Sequence, residues 1–179
     1  MSNALHIAAI WMHILGIALF VGPQFFLAFA WVPASRGIDD LPTRIKAMRT
    51  ITKRFGYVGG AGLLLILIAG TYLIADWRNF YTIDPTLGFN DVRFGIVFSI
   101  KMTVLTVMLA ILAWHTFIAG PKLMDRLEAQ ANGENVSDAE LKKLRMRSMM
   151  LSITGLVLTL IIMVLGAMLT TTSYSLQTT

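Results

Sequence analysis

Four stretches of this chain are too apolar and too long to serve as core elements of a water-soluble domain. Residues 1–35, 55–75 and 148–179 contain no Asp, Glu, Lys or Arg, and Lys101 is the only formal charge between Arg93 and Lys122. A helix crosses a bilayer's hydrocarbon core in about 20 apolar residues. In lipid, such a segment must satisfy its own backbone hydrogen bonds, which selects the helix. The spans fall near 4–31, 55–76, 93–119 and 149–172. The expected fold is all-α, one transmembrane domain over residues 1–179. It is an integral membrane four-helix bundle with short cytoplasmic helical extensions.

Composition agrees. Only 14% of the 179 residues are charged, against about 25% in ordinary soluble domains. The first run has no basic leader and exceeds the ~7–15 apolar residues of a signal peptide, so it reads as a retained span. The absence of cysteine excludes disulfides, thiolate metal sites and cysteine nucleophiles. No phosphate-binding glycine loop, serine-elbow motif or internal repeat stands out.

The net charge of +5 suggests nucleic acid until its distribution is read. Arg36, Arg44, Lys46, Arg49, Lys53 and Arg54 lie between the first two spans. Lys122, Arg126, Lys142, Lys143, Arg145 and Arg147 lie between the last two, and only Arg78, Arg93 and Lys101 remain elsewhere. This positive-inside bias puts both basic loops in the cytoplasm and both termini and the 77–92 loop outside. The protein then belongs in the inner (cytoplasmic) membrane, with the lipid bilayer as partner and no nucleic acid.

The loops carry their own signals. "WRNFYTIDPTLGFNDVRF" reads as an aromatic interfacial belt around a turn. "DDLPTRIKAMRTITKRF" is expected to be helical from Thr43, with Pro42 at its start, and to lie on anionic headgroups before turning into the second span. The third span should run on past Pro121 and break at "NGEN". Ser137 with Glu140 matches a capping box opening the last helix. The glycines of "GYVGGAG", with Gly70, Gly155 and Gly166, suit either close helix packing or room for a flat cofactor.

Intramembrane polar residues are few, and therefore informative. His6 and His13 stand seven apart on the first helix, and Lys101, Met108 and His115 are spaced by sevens on the third. Each set forms one stripe, and the two stripes are expected to face each other in the bundle. His13 and Lys101 each lie five residues outward of their span centres, roughly 7–8 Å at 1.5 Å per residue. His115 falls near the cytoplasmic interface beside Trp114. The depths match for His6 or His13 with Lys101 and fail for His115.

Imidazole is a neutral donor suited to haem iron or copper. A lysine ligates only as the neutral amine, the form that low dielectric favours. Met12, Met102, Met108, Met163 and Met168 could add thioethers, although methionine in an apolar helix more often fills gaps.

Two stretches carry a family resemblance. "ALHIAAIWMHILGIALFVGPQFF" resembles the first helix of the CopD and HemJ group of small membrane proteins, with its Leu-His-Ile, aromatic-rich stretch, Gly and Pro. "SIKMTVLTVMLAILAWH" resembles that group's later lysine-bearing helix, which ends in an aromatic-His pair. The resemblance implies haem b held between a first-helix His and this Lys, here His6 and Lys101 as axial ligands of the iron. It implies an oxidoreductase of protoporphyrinogen for HemJ-like members and copper handling for CopD-like ones. This chain has His13 where the HemJ pattern has Trp, and Gln24 where it has Arg, which weakens porphyrinogen oxidation more than haem binding.

The expected protein thus passes electrons between haem b and a quinone, a porphyrinogen or a partner redox subunit. Copper transport, or an accessory structural subunit of a respiratory complex, are the alternatives. His6 is assigned the axial role, His13 a second ligand set or proton path, and Arg93 or Arg78 the haem propionates. A homo-oligomer and a subunit of a larger complex both stay open.

Overall fold

A computed structural model describes residues 3–81 and 83–179. Helix α1 (Asn3–Phe25) passes into a π-helical turn (Phe26–Trp31) and the one-turn helix α2 (Val32–Ser35). Helix α3 (Leu41–Ala75) returns, followed by the one-turn α4 (Trp77–Phe80) and a 3₁₀ turn (Phe89–Asp91). The second half repeats this plan. Helix α5 (Arg93–Trp114) runs into a π-helical turn (His115–Ala119) and α6 (Gly120–Ala131), then α7 (Asp138–Thr170) returns and α8 (Thr172–Ser175) follows. The fold is all-α, as expected; one isolated antiparallel bridge joins Val92 to Thr178.

The two π-helical turns have a local cause. Pro33 and Pro121 lack an N–H and crowd the carbonyl four residues back, at Phe29 and Phe117. Widening the helix by one residue relieves that clash and lets neighbouring groups take up the freed carbonyls. The chain therefore stays helical through each proline.

Two expectations at the helix starts need correcting. The basic segment after Asp40 does not lie flat and then turn, because α3 is one continuous helix of 35 residues from Leu41 to Ala75. Nothing between Thr43 and Phe55 breaks helical geometry, so the amphipathic segment and the span share one axis. Asp40 caps α3 by accepting from the Thr43 N–H at 2.9 Å, and the Thr43 side chain and N–H hold its carboxyl below the usual carboxylate range. Ser137 does occupy the N-cap of α7, yet its side chain makes no capping bond. The box fails because Glu140 turns instead to Arg126, at 3.1 Å.

The chain divides into two compact units. One runs to Phe80 and takes in Leu127–Glu134; the other comprises Tyr81–Arg126 and Asn135–Thr179. In the first, α1 packs antiparallel on α3 through glycine. A Cβ on Gly62 would stand 2.7 Å from the Gly16 carbonyl oxygen and 2.8 Å from the Phe20 nitrogen, and one on Gly16 would stand 2.8 Å from the Gly62 carbonyl oxygen. The backbones touch there, which is how helices gain packing energy in lipid. Gly56 and Gly60 have nothing within 4 Å of that position, so the glycine run is only partly a packing motif. Arg49 pairs with Glu128 at 2.8 Å in the same unit.

In the second unit, α5 packs antiparallel on α7. The segment leading into α5 holds the aromatic cluster the sequence suggested, with Phe89 against Phe94 and Phe98 at 5.9 and 5.8 Å and Tyr81 against Phe94 at 5.5 Å. The segment after α8 is tied to it, Arg93 N–H donating to the Gln177 carbonyl at 3.0 Å and Thr179 N–H to the Asp91 carbonyl at 3.1 Å.

Among the described residues four helices, Asn3–Ser35, Leu41–Ala75, Arg93–Ala131 and Asp138–Thr170, are long and apolar enough to cross a membrane. Their outer faces expose Ile7, Trp11, Phe29 and Val164, as lipid contact requires. This is a multi-pass membrane protein.

The backbone contact at Gly16 and Gly62 makes a direct prediction. Gly62→Val should overpack the crossing by about 1–3 kcal/mol and lower the thermal midpoint of the detergent-solubilised protein by several degrees. Gly60→Val, which faces open space, should leave the midpoint unchanged.

Candidate functional site

The antiparallel register within each hairpin determines what the polar stripes meet. In the first unit, a Cβ on Gly70 would stand 3.3 Å from His13 Cε1 and 3.5 Å from its Nδ1. The imidazole occupies the place a larger residue would fill. A methyl group there would press on the ring by a few tenths of an ångström and a larger side chain would displace it, so Gly70 provides room for a polar ring inside an apolar hairpin. His13 is half-buried.

His6 lies one heptad nearer the start of α1 and is also half-buried. Continued outward, the same register brings it level with the turn after α3. That turn holds a group the sequence reading passed over. Asp76 is 5% exposed, accepts from the Tyr72 hydroxyl at 3.4 Å and from the Asn79 side-chain amide, and caps the end of α3. An acid four residues after a tyrosine, at the close of an uncharged run, was the available signal.

In the second unit, a Cβ on Gly166 would stand 3.6 Å from Lys101 Nζ. The lysine therefore turns inward onto α7. At the other end of the stripe, His115 Nε2 lies 3.1 Å from Ser148 Oγ and 3.2 Å from Ser152 Oγ. Between them Met108 is 2% exposed, and the register sets it level with Thr159, 3% exposed. The stripe Lys101, Met108, His115 is thus laid along a complementary heptad of small residues, Gly166, Thr159, Ser152. Within the second unit this stripe lies along its own return helix. Small side chains on α7 admit the larger groups of α5, and that complementarity fixes the register.

The arginines considered for haem propionates sit on aromatic faces. Arg93 opens α5 with its guanidinium 5.0 Å from the Tyr174 ring, and Arg78 lies 5.0 Å from the Trp77 ring. Gln24, at the position where the resemblance has arginine, folds back to donate to the Phe20 carbonyl at 3.2 Å. Arg147 stacks over Trp114 at 5.5 Å, next to His115.

The structure therefore brings His13 to Gly70 in one unit and Lys101 to Gly166 in the other, and it places His115 among serines as a satisfied polar group. Chemically, each hairpin places a nitrogen-bearing side chain beside a glycine of its return helix. Among the described residues no three of His, Asp and Glu gather to hold a bare metal ion. No family model, no curated protein and no solved structure matches the chain.

The shared serine pair makes His115 a measurable structural element. Ser148→Ala or Ser152→Ala alone leaves the other hydroxyl and should cost roughly 0.6 kcal/mol or less, a typical hydrogen bond between membrane helices. The double substitution strands the imidazole and should cost about 1–3 kcal/mol. Equilibrium unfolding in mixed micelles reads the non-additivity.

Proposed function

We propose that this chain is a haem b protein of the inner (cytoplasmic) membrane with a role in electron transfer. The observation that carries the reading is that His13 on Gly70 and Lys101 on Gly166 are nitrogen donors kept inside helices that otherwise exclude polarity. Intramembrane ionisable groups cost several kcal/mol and persist where they do something. A porphyrin supplies four of iron's ligands, so haem asks a protein for only axial donors, and this suits a chain in which no three His, Asp or Glu side chains gather among the described residues.

The resemblance to the CopD and HemJ group supports the same reading. When bound, haem supplies reversible one-electron chemistry. The protein's own part is to present a first-hairpin histidine and Lys101, to keep water away with apolar helix faces, and to offer Arg93 or Arg78 near the outer surface. Gln24 in place of the group's arginine favours a quinone or a partner redox subunit over a porphyrinogen as electron partner. The orientation, termini outside and basic loops in the cytoplasm, rests on twelve cationic residues against three.

Purified full-length protein is expected to be red, with a Soret band and stoichiometric haem in a pyridine haemochrome assay, and Lys101→Ala should reduce that haem content by at least about tenfold, the scale of a lost ligand. Copper without haem would replace this reading with metal transport. A colourless, metal-free protein would replace it with a scaffold role.

A further inference from the structure

The second unit retraces the first. On the outgoing helices, 88 positions separate His13 from Lys101, Phe20 from Met108, Phe29 from Phe117 and Pro33 from Pro121. At this offset Ala9 and Val97, Phe20 and Met108, and Ser35 and Leu123 are all buried. Phe29 and Phe117, 68% and 77% exposed, are the two most exposed large apolar side chains among the described residues. The π-helical turns Phe26–Trp31 and His115–Ala119 coincide as well. Such turns account for well under 1% of residues in proteins.

On the return helices the offset is 96, relating Ile45 to Leu141, Arg49 to Arg145, Gly59 to Gly155 and Gly70 to Gly166. Ile45 and Leu141 are both buried, 5% and 3% exposed. The change of eight has a single origin, since α6 has 12 residues where α2 has 4. A contact maps onto a contact: His13 over Gly70 becomes Lys101 over Gly166. The copies differ at the Gly16–Gly62 crossing, where the second hairpin has Val104 and Leu158.

We infer that the chain is a tandem pair of one helical hairpin, and that His13, not His6, holds the donor position that Lys101 holds in the second copy. His6 corresponds to Phe94, an apolar residue in the outer aromatic cluster. The donor position is defined by three coordinates that the copies share: a glycine opposite it on the return helix, a buried residue seven positions inward, and a proline twenty positions inward. As an assignment of an iron donor it rests on the haem reading above. The equivalence of the two positions does not.

Exchange of the donors in the full-length protein tests both parts. His13→Lys with Lys101→His should fold with a thermal midpoint within about 4 °C of the parent, a change of roughly 1–2 kcal/mol, because each glycine notch accepts either side chain. It should keep at least half of the parent's haem. Two controls separate the histidines: His6→Ala, which leaves His13 and Lys101 in place, should keep at least half of the haem, whereas His13→Ala should lose it by about tenfold or more. Loss of haem in the first exchange or in His6→Ala, or retention in His13→Ala, overturns the donor assignment. A colourless parent defeats the haem reading alone, and the midpoint then decides the equivalence: a fall of more than about 10 °C on the first exchange, well beyond a tolerated swap, overturns it.

Discussion

A polar side chain in hydrocarbon needs a neighbour that makes room for it, and in this protein the neighbour is glycine. Gly70 accepts the imidazole of His13 and Gly166 the amine-bearing chain of Lys101. A large side chain at either position would contest the space that the polar group occupies, and exposing that group to lipid costs several kcal/mol. The rest of each hairpin follows from the same steric logic. Small residues on the return helix set the register, and the register then puts His115 between Ser148 and Ser152.

The prolines exert a second constraint. Pro33 and Pro121 come near the C-terminal ends of their spans, where a break would expose backbone polar groups to lipid. The π-helical turns keep the chain helical through them. In each hairpin the donor and the proline stand at the same separation, so the depth of the donor relative to the helix end is built in twice. This points to one solution copied rather than two arrived at separately.

Much of the fold was legible in the sequence because lipid imposes a simple rule. Uncharged runs of sufficient length become helices, and four such runs gave four helices with the right ends at Pro42 and at the break before Asp138. The long axis of α3 was missed because amphipathicity alone does not tell a helix lying on a surface from one continuing into a span. The Ser137 box was expected and does not form, as Glu140 has a competing partner in Arg126. At the candidate site, heptad spacing correctly gathered Lys101, Met108 and His115 onto one face. It could not say which helix that face meets, since the partner signal is a heptad of small residues, and small residues are common in membrane helices. The repeat was hidden for a related reason. Its matched positions keep burial, proline and glycine but change chemistry, His13 to Lys101 and Phe20 to Met108, and a length change in α6 splits the register.

The central claim is that each hairpin shelters a polar side chain, His13 or Lys101, beside a glycine of its return helix, and the acylation rate of Lys101 tests it most directly. Full-length protein in lipid nanodiscs, treated with a small amine-reactive reagent and followed by peptide mass spectrometry, gives that rate beside those of the exposed Lys142 and Lys143. The account predicts that Lys101 reacts at least about tenfold more slowly, a shelter worth roughly 1.4 kcal/mol, and that Gly166→Leu, which fills the notch, removes most of the difference. Equal rates in the unaltered protein, or a rate untouched by Gly166→Leu, would contradict it.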